Sequence, residues 1–434
     1  MKPADALPRL AAFYDSNLKG YWITDRAGNW LNVNENSLRR HLRASGLAGD
    51  TKRGEIISEL DAALNDYQLE SAVSFAGSLA GYSKGVIEQG GQHILVTTSP
   101  RLIEPTEGEF PVLAKMLENL FCETAADQRP YVLGWLKVAI ESQRANARRP
   151  GQALAMAGPR NCGKSLLQNL ITEMLGGRAA KPYRYMSGQT TFNSDLFAAE
   201  HLMVEDECGS TDLRARREFG ARIKDFTVNE VQSCHAKNRQ AISLRPFWRL
   251  SISLNDEPEN MMILPPLDES LSDKLMLLRV HRADMPMPTE TVEGRAAFWA
   301  TLMAELPAFV GYLLRWKIPD ALRCQRYGVT TFHHPELIDA IDGVSPEFRL
   351  LTLIDAVVFA DAGPATGPMV MTAEALESQL TNSSMGFEAR RLFSWTNACG
   401  TYLGRLAAKR PARVERNSNN QRREWLIKPE LVTP

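Results

Sequence analysis

One stretch constrains this chain more than any other. Ala153-Leu154-Ala155-Met156-Ala157 runs into Gly158-Pro159-Arg160-Asn161-Cys162-Gly163-Lys164-Ser165 and then into Leu166-Leu167-Gln168-Asn169-Leu170-Ile171. An apolar run, a glycine-bounded turn and a segment of helical spacing predict strand, loop and helix in succession. The loop fits G-x-x-x-x-G-K-[ST], and its residue types serve one chemistry. Glycines let backbone N–H groups face a phosphate chain, and the following helix N-terminus adds its positive dipole end. Gly158, Pro159, Asn161, Gly163, Lys164, Ser165 and Leu166 are therefore candidate nucleotide-binding residues. Lys164 reaches the β/γ-phosphates and Ser165 holds Mg²⁺ in this pattern, so ATP with Mg²⁺ is the implied ligand. An α/β core follows from that loop.

With 434 residues, 44% of them hydrophobic and 23% charged, the chain holds about two to four domains with full cores. Its net charge of -1 gives no global sign of a nucleic-acid partner, so any basic surface is local. The six cysteines (Cys122, Cys162, Cys208, Cys234, Cys324 and Cys399) form no C-x-x-C pair, which argues against structural zinc and fits reduced thiols. No signal pattern opens the sequence, and no run reaches the ~18 apolar residues of a membrane span. The expectation is a cytoplasmic protein with no membrane partner.

Residues 1–105 read as a small α+β module. Gly20–Thr24 and Asn29–Val33 alternate as strands of a hairpin, and Asn36 or Ser37 caps a helix stopped at Gly46. The module lacks strand-borne carboxylates with a downstream histidine, so a primase site is not supported. Residues 106–149 form a helical collar, with helices expected at Val112–Thr124 and Pro130–Gln143. Core packing and an oligomerisation surface both fit that collar.

The ATPase core spans residues 150–290. His201-Leu202-Met203-Val204-Glu205-Asp206-Glu207 is a short apolar strand ending in carboxylates, about forty residues after the phosphate loop. In such a site one carboxylate, Asp206, holds Mg²⁺ through water while its neighbour Glu205 orients the attacking water. Ile223–Val231 and Cys234–Ile242 follow as two strand-like stretches, with Val228–Val231 and Ala241–Leu244 flanking a polar tip that carries Lys237, Asn238 and Arg239. Arg249–Leu254 is then an apolar strand ending at Asn255, whose amide can bond both the attacking water and the γ-phosphate.

This order of phosphate loop, strand ending Glu205-Asp206, basic hairpin and strand ending Asn255 resembles the superfamily 3 helicases, a branch of the AAA+ ATPases, and among them the phage- and satellite-type primase-helicases. The match covers about Gly151 to Pro288. The resemblance implies a ring of six subunits, with ATP between subunits, Lys237 tracking single-stranded DNA in the channel, and unwinding in the 3′-to-5′ direction. It also implies a cation acting on the neighbouring subunit's site. Lys274, Arg279 and Arg282 are candidates, with alignment favouring Lys274 or Arg279. Asn238 stands where a histidine is common in viral relatives.

Residues 291–344 read as a helical lid or linker, interrupted at Pro307. Residues 345–434 form another module, with helices expected at Pro346–Val358, Thr372–Leu380 and Gly386–Leu406, then a hairpin of Ala412–Arg416 and Arg422–Ile427. Helices followed by a polar-tipped hairpin suggest a winged helix. Arg410, Arg413 and Arg422 are candidate duplex contacts within a local concentration of positive charge. The expected function is an ATP-dependent DNA helicase or translocase in replication of a phage, satellite or other mobile element, with a separate primase as a further partner. The alternatives are a nucleotide-switched ATPase of a defence system, or a DNA-binding initiator or scaffold that does not unwind.

Overall fold

The computed structural model describes residues 11–123, 127–147, 149–205, 213–265, 267, 269–343, 345–360, 367–417 and 423–429. Two compact units divide the chain: residues 1–256 with 267–334, and residues 257–266 with 335–434.

The first unit begins with a four-stranded sheet. β1 (Ala12–Asp15), β2 (Gly20–Thr24) and β3 (Trp30–Val33) form an antiparallel meander. α1 (Glu35–Ala44) and α2 (Glu59–Glu70) bury Leu38, Leu42, Leu60 and Leu64 with Tyr21 and Ile23. Asn34, rather than Asn36 or Ser37, caps α1: its side chain accepts the Ser37 N–H at 2.9 Å. β4 (Ala72–Val73) joins β1 in parallel, and β5 (Phe75–Gly77), β6 (Gly85–Gln89) and β7 (Gln92–Val96) make a second, three-stranded sheet.

α3 (Pro111–Phe121) and α4 (Arg129–Arg144) follow close to their expected places, each with proline in its first turn. The central sheet comprises β8 (Ala153–Ala157), β9 (Ala179–Ala180), β10 (His201–Glu205), β13 (Arg249–Leu254) and β14 (Leu275–Arg279). Its order is β14-β8-β13-β10-β9 and every pairing is parallel. β8 and β13 are buried throughout, which is why they read as unbroken apolar or small-residue runs. Between the strands lie α5 (Lys164–Met174), α6 (Tyr183–Met186), α7 (Leu213–Val228) and the hairpin β11 (Gln232–Cys234) with β12 (Ile242–Leu244). α8 (Pro258–Met261) belongs to the second unit, and α9 (Glu269–Ser272) precedes β14.

The strand expected over Ile223–Val231 is helical up to Val228, and β11 starts only at Gln232. Phe219, Ile223 and Phe226 are all buried at three- and four-residue spacing, so the helical period wins over local β propensity.

α10 (Val292–Arg315) runs unbroken through Pro307, contrary to the interruption expected there. It buries Phe298, Leu302, Leu306, Phe309 and Leu313 with residues of α3 and α4, and the Pro307 carbonyl accepts the Thr106 N–H at 3.0 Å. That burial outweighs the lost helix bond. By length and composition α10 reaches the threshold for a membrane span, which no stretch was expected to do, yet its apolar face is part of the core. A small hairpin, β15 (Arg323–Cys324) with β16 (Gly328–Val329), ends this region.

The second unit holds α11 (Pro335–Gly343), α12 (Pro346–Val357), β17 (Met369–Thr372), α13 (Ala373–Thr381), α14 (Gly386–Leu392), α15 (Ala398–Lys409), β18 (Val414–Asn417) and β19 (Glu424–Ile427). The single helix expected over Gly386–Leu406 is two, separated where Asn397 takes a φ of 66°. The hairpin gains a third strand, giving an antiparallel order β17-β19-β18 over a core that includes Leu376, Leu403, Leu406 and Trp425.

Candidate nucleotide and nucleic-acid sites

The loop between β8 and α5 has the backbone its sequence demands. Asn161 and Gly163 take positive φ, 59° and 103°, so left-handed residues alternate within the turn. Such alternation points successive N–H groups inward as an anion nest. None of the Arg160, Asn161, Cys162 and Gly163 amides donates to a backbone carbonyl among the described residues. Gly158 is required for packing: a Cβ there would meet the Val280 carbonyl oxygen at 2.2 Å. Lys164 is buried, and its Nζ donates to the Gly158 and Pro159 carbonyls at 2.7 Å each. Neutral carbonyl oxygens thus hold an ammonium that phosphate oxygens would hold more strongly. Ser165 is exposed on the first turn of α5, with Leu166 half-buried behind it.

The sheet order decides what faces this loop. β13 lies between β8 and β10, and the register aligns Met156, Ser253 and Glu205 across the three strands. Their C-terminal ends therefore form one edge, the usual position for a ligand site in an open parallel sheet. Asn255, just past β13, is buried and its Oδ1 lies 3.3 Å from Lys164 Nζ. Glu205 closes β10, half-buried, with Lys181 Nζ at 2.7 Å from its carboxylate. Asp206 lies outside the described residues. Among the described residues no cluster of three His, Cys, Asp or Glu forms a resident metal site. A magnesium ion arriving with phosphates needs only one or two protein oxygens, and Ser165 offers one.

Beneath the edge runs a buried polar network that the sequence did not reveal. Thr172 Oγ1 lies 2.7 Å from His201 Nδ1, His201 Nε2 lies 2.8 Å from Ser251 Oγ, and Gln168 Nε2 donates to Ser251 Oγ at 2.8 Å. It ties the helix of the phosphate loop to the two strands that carry Glu205 and Asn255. Burial pushes the His201 imidazole down to about 3, so it is neutral at physiological pH.

Lys237, Asn238 and Arg239 are exposed at the tip between β11 and β12, where Asn238 takes a φ of 60°. Asn193, which is buried, clamps β11 of this hairpin where the strand leads into the tip. Its N–H donates to the His235 carbonyl at 3.0 Å, its Oδ1 accepts the His235 N–H at 2.8 Å, and its Nδ2 donates to the Ser233 carbonyl at 2.9 Å. Asn193 sits eight residues before β10, so the hairpin and the strand carrying Glu205 share one segment.

The two cations favoured for action in trans lie at opposite edges of the sheet. Arg279 ends β14 level with Ala157, and the Gln128 side chain fixes its backbone at both N–H and C=O, each at 2.9 Å. Lys274 precedes β14 at the far edge, half-buried, with its Nζ 2.5 Å from Asp273. In the second unit Arg410 is exposed and stacks over Phe348 at 5.2 Å. Arg413 is half-buried, bonded to the Asp355 carboxylate and donating to the Lys428 carbonyl at 2.9 Å, which braces the hairpin from behind. Arg422 lies outside the described residues.

Comparison with known proteins follows this geometry. A family of unknown function (DUF5906) matches residues 156–269, from the end of β8 to the start of α9. The search of curated proteins finds no match. Among solved structures, the apo structure of the NrS-1 C-terminal region (305–718) is similar with a TM-score of 0.54 and 13% identity, over 97% of this chain and 96% of that one. The A-form apo structure of the same region gives a TM-score of 0.53 at 13% identity, over 97% of both chains. The likeness therefore extends to the whole fold. An SCCmec type IV Cch structure, named as an active helicase, gives a TM-score of only 0.34 at 10% identity over 92% of this chain and 69% of that one, too slight to carry an argument.

Proposed function

We propose that this chain is an ATP-dependent DNA translocase that unwinds duplexes in the replication of a phage, satellite or other mobile element, with an AAA+ core of the superfamily 3 type assembled as a hexameric ring. The observation that carries this reading is the shared edge of β8, β13 and β10, with Lys164 Nζ 3.3 Å from Asn255 Oδ1. The loop amides and Lys164 hold polyphosphate, and Ser165 with Asp206 holds the magnesium ion. Glu205 leaves Lys181 to orient and deprotonate a water, and Asn255 bonds that water and the terminal phosphate. ATP with Mg²⁺ supplies the phosphoryl transfer that drives the cycle. Arg279, on the same edge as the loop, is the better placed of the two trans candidates, since Lys274 is held by Asp273 at the other.

The hairpin gives the cycle its output. Because Asn193 joins it to the segment leading into β10, a change at Glu205 has a short covalent and hydrogen-bonded path to Lys237. Phosphate contacts by Lys237, Asn238 and Arg239 are indifferent to sequence, as a translocase needs. The order of helices and strands in the second unit fits a winged helix, which suits a separate duplex contact through Arg410 and Arg422.

The experiment is strand displacement from a fork with a 3′ tail. Displacement that requires hydrolysable ATP is expected. An intact fork beside sustained ATP turnover contradicts translocation.

A further inference from the structure

The face of the first unit opposite the phosphate loop carries a cleft of about 640 Å³ that the nucleotide site does not use. Arg149 lies four residues ahead of β8, whose five residues span about 16 Å, so the cleft opens at the N-terminal edge of the sheet. Lys137, Arg149, Arg315, Lys317 and Arg323 line it together with Trp316, and among the described residues no acidic one does. Lys137 is already engaged: its Nζ lies 2.6 Å from Glu141 and donates to the Leu313 and Leu314 carbonyls at the end of α10. Arg323 is paired with Asp320 at 3.0 Å, but Asp320 is almost fully exposed and such a pair contributes little. Arg149, Arg315 and Lys317 are exposed and form no ion pair among the described residues. Behind them Arg249 is buried without a carboxylate, donating to the Arg149 carbonyl at 3.1 Å. A concave surface of one charge sign focuses its field and draws in a polyanion.

We propose that this cleft is a second single-stranded nucleic-acid site, in which Arg149, Arg315 and Lys317 hold phosphates and Trp316 stacks a base. The half-buried indole sits at the end of α10 between Arg315 and Lys317, beside the apolar Leu314 and Ile318. Cationic grooves with an aromatic platform bind single strands in this way, whereas a site for acidic peptide has no use for the ring. The volume exceeds what one phosphate fills. The inference rests on the nucleic-acid reading above but not on ATP turnover or on the hairpin.

The test is fluorescence anisotropy of the full chain with labelled oligo(dT) across a salt series. Arg315→Glu/Lys317→Glu should weaken binding at least tenfold near 0.1 M salt, and the neutral pair Arg315→Gln/Lys317→Gln should reduce the salt slope by about 1.4, two phosphates at ~0.7 each. Binding of a fluorescent ATP analogue should stay unchanged in both, which reports an intact fold. Trp316→Ala should weaken oligo(dT) binding at unchanged salt slope. Unchanged affinity and slope in both double variants, while Lys237→Ala loses affinity, would overturn the second site and leave the hairpin reading standing. No oligo(dT) binding by the wild type would overturn both. Displacement of oligo(dT) by polyglutamate as effective as by unlabelled oligo(dT), with Trp316→Ala neutral, would assign the cleft to an acidic protein partner instead.

Discussion

The phosphate loop and the β11–β12 hairpin lie in one unit and differ in almost every physical respect. The loop is locked from below: Gly158 abuts the Val280 backbone, Lys164 is buried, and the strand ends of β8, β13 and β10 abut in register. The hairpin has three residue pairs of ladder, an exposed basic tip and one buried asparagine bonded to β11 and the residue after it. Chemistry needs groups held in place, while a moving contact needs a rigid root and a free end. On the proposed function, the difference separates a region whose substitutions should stop turnover from one whose substitutions should uncouple it.

The largest effects belong to the loop edge. Lys164→Ala should reduce ATP turnover to background, because among the described residues Lys164 is the buried lysine within the loop that would meet the phosphates, while circular dichroism stays native. Glu205→Gln should retain nucleotide binding and lose about 10²–10³ in turnover, comparable to removal of one preorganised transition-state group. Normal hydrolysis by Glu205→Gln would mean that another carboxylate of the cluster orients the water.

Asn193→Ala sharpens the contrast from the hairpin side. It removes the acceptor of the His235 N–H and the donor to the Ser233 carbonyl; Ser233 is exposed and His235 half-buried, so water replaces part of both bonds and each loss costs about 0.5–1.5 kcal/mol. Hydrogen exchange at the His235 amide should accelerate and DNA-stimulated turnover should fall, with basal hydrolysis kept. If basal hydrolysis fell equally, the two regions would not be separable.

The smallest effect on turnover comes from beneath the loop edge, where the change is read in stability against pH. His201 is held neutral by burial, with its folded pKa near 3 and thus below its unfolded value. Its contribution is therefore complete above about pH 6.5 and is lost as pH falls toward 3, by up to about 1.4 kcal/mol per pH unit. Acid melts of His201→Asn should show a shallower decline over that window than the wild type, from a lower starting stability.

How much of this was legible in the sequence follows from the range of the contacts. The loop is one contiguous stretch in which each residue type serves the same end, and the Glu205 and Asn255 strand ends are short apolar runs meeting a polar group. The His201 network was hidden because its members lie 29, 50 and 83 residues apart, with no local pattern to join them. The hairpin strand was misplaced because Phe226-Thr227-Val228 has strong β propensity, and only burial of Phe219, Ile223 and Phe226 on one helix face decides against it. Pro307 works in the other direction: a proline's local effect favours a break, and only the core packed against α10 keeps the helix continuous.

On the proposed function, ATP turnover at the loop is spent on DNA through the hairpin tip. The most direct measurement is turnover of Lys237→Ala with and without single-stranded DNA, beside unwinding of a 3′-tailed fork. Basal hydrolysis at the wild-type rate, loss of the DNA-stimulated part and loss of unwinding are expected. Unwinding at the wild-type rate by Lys237→Ala would contradict that coupling.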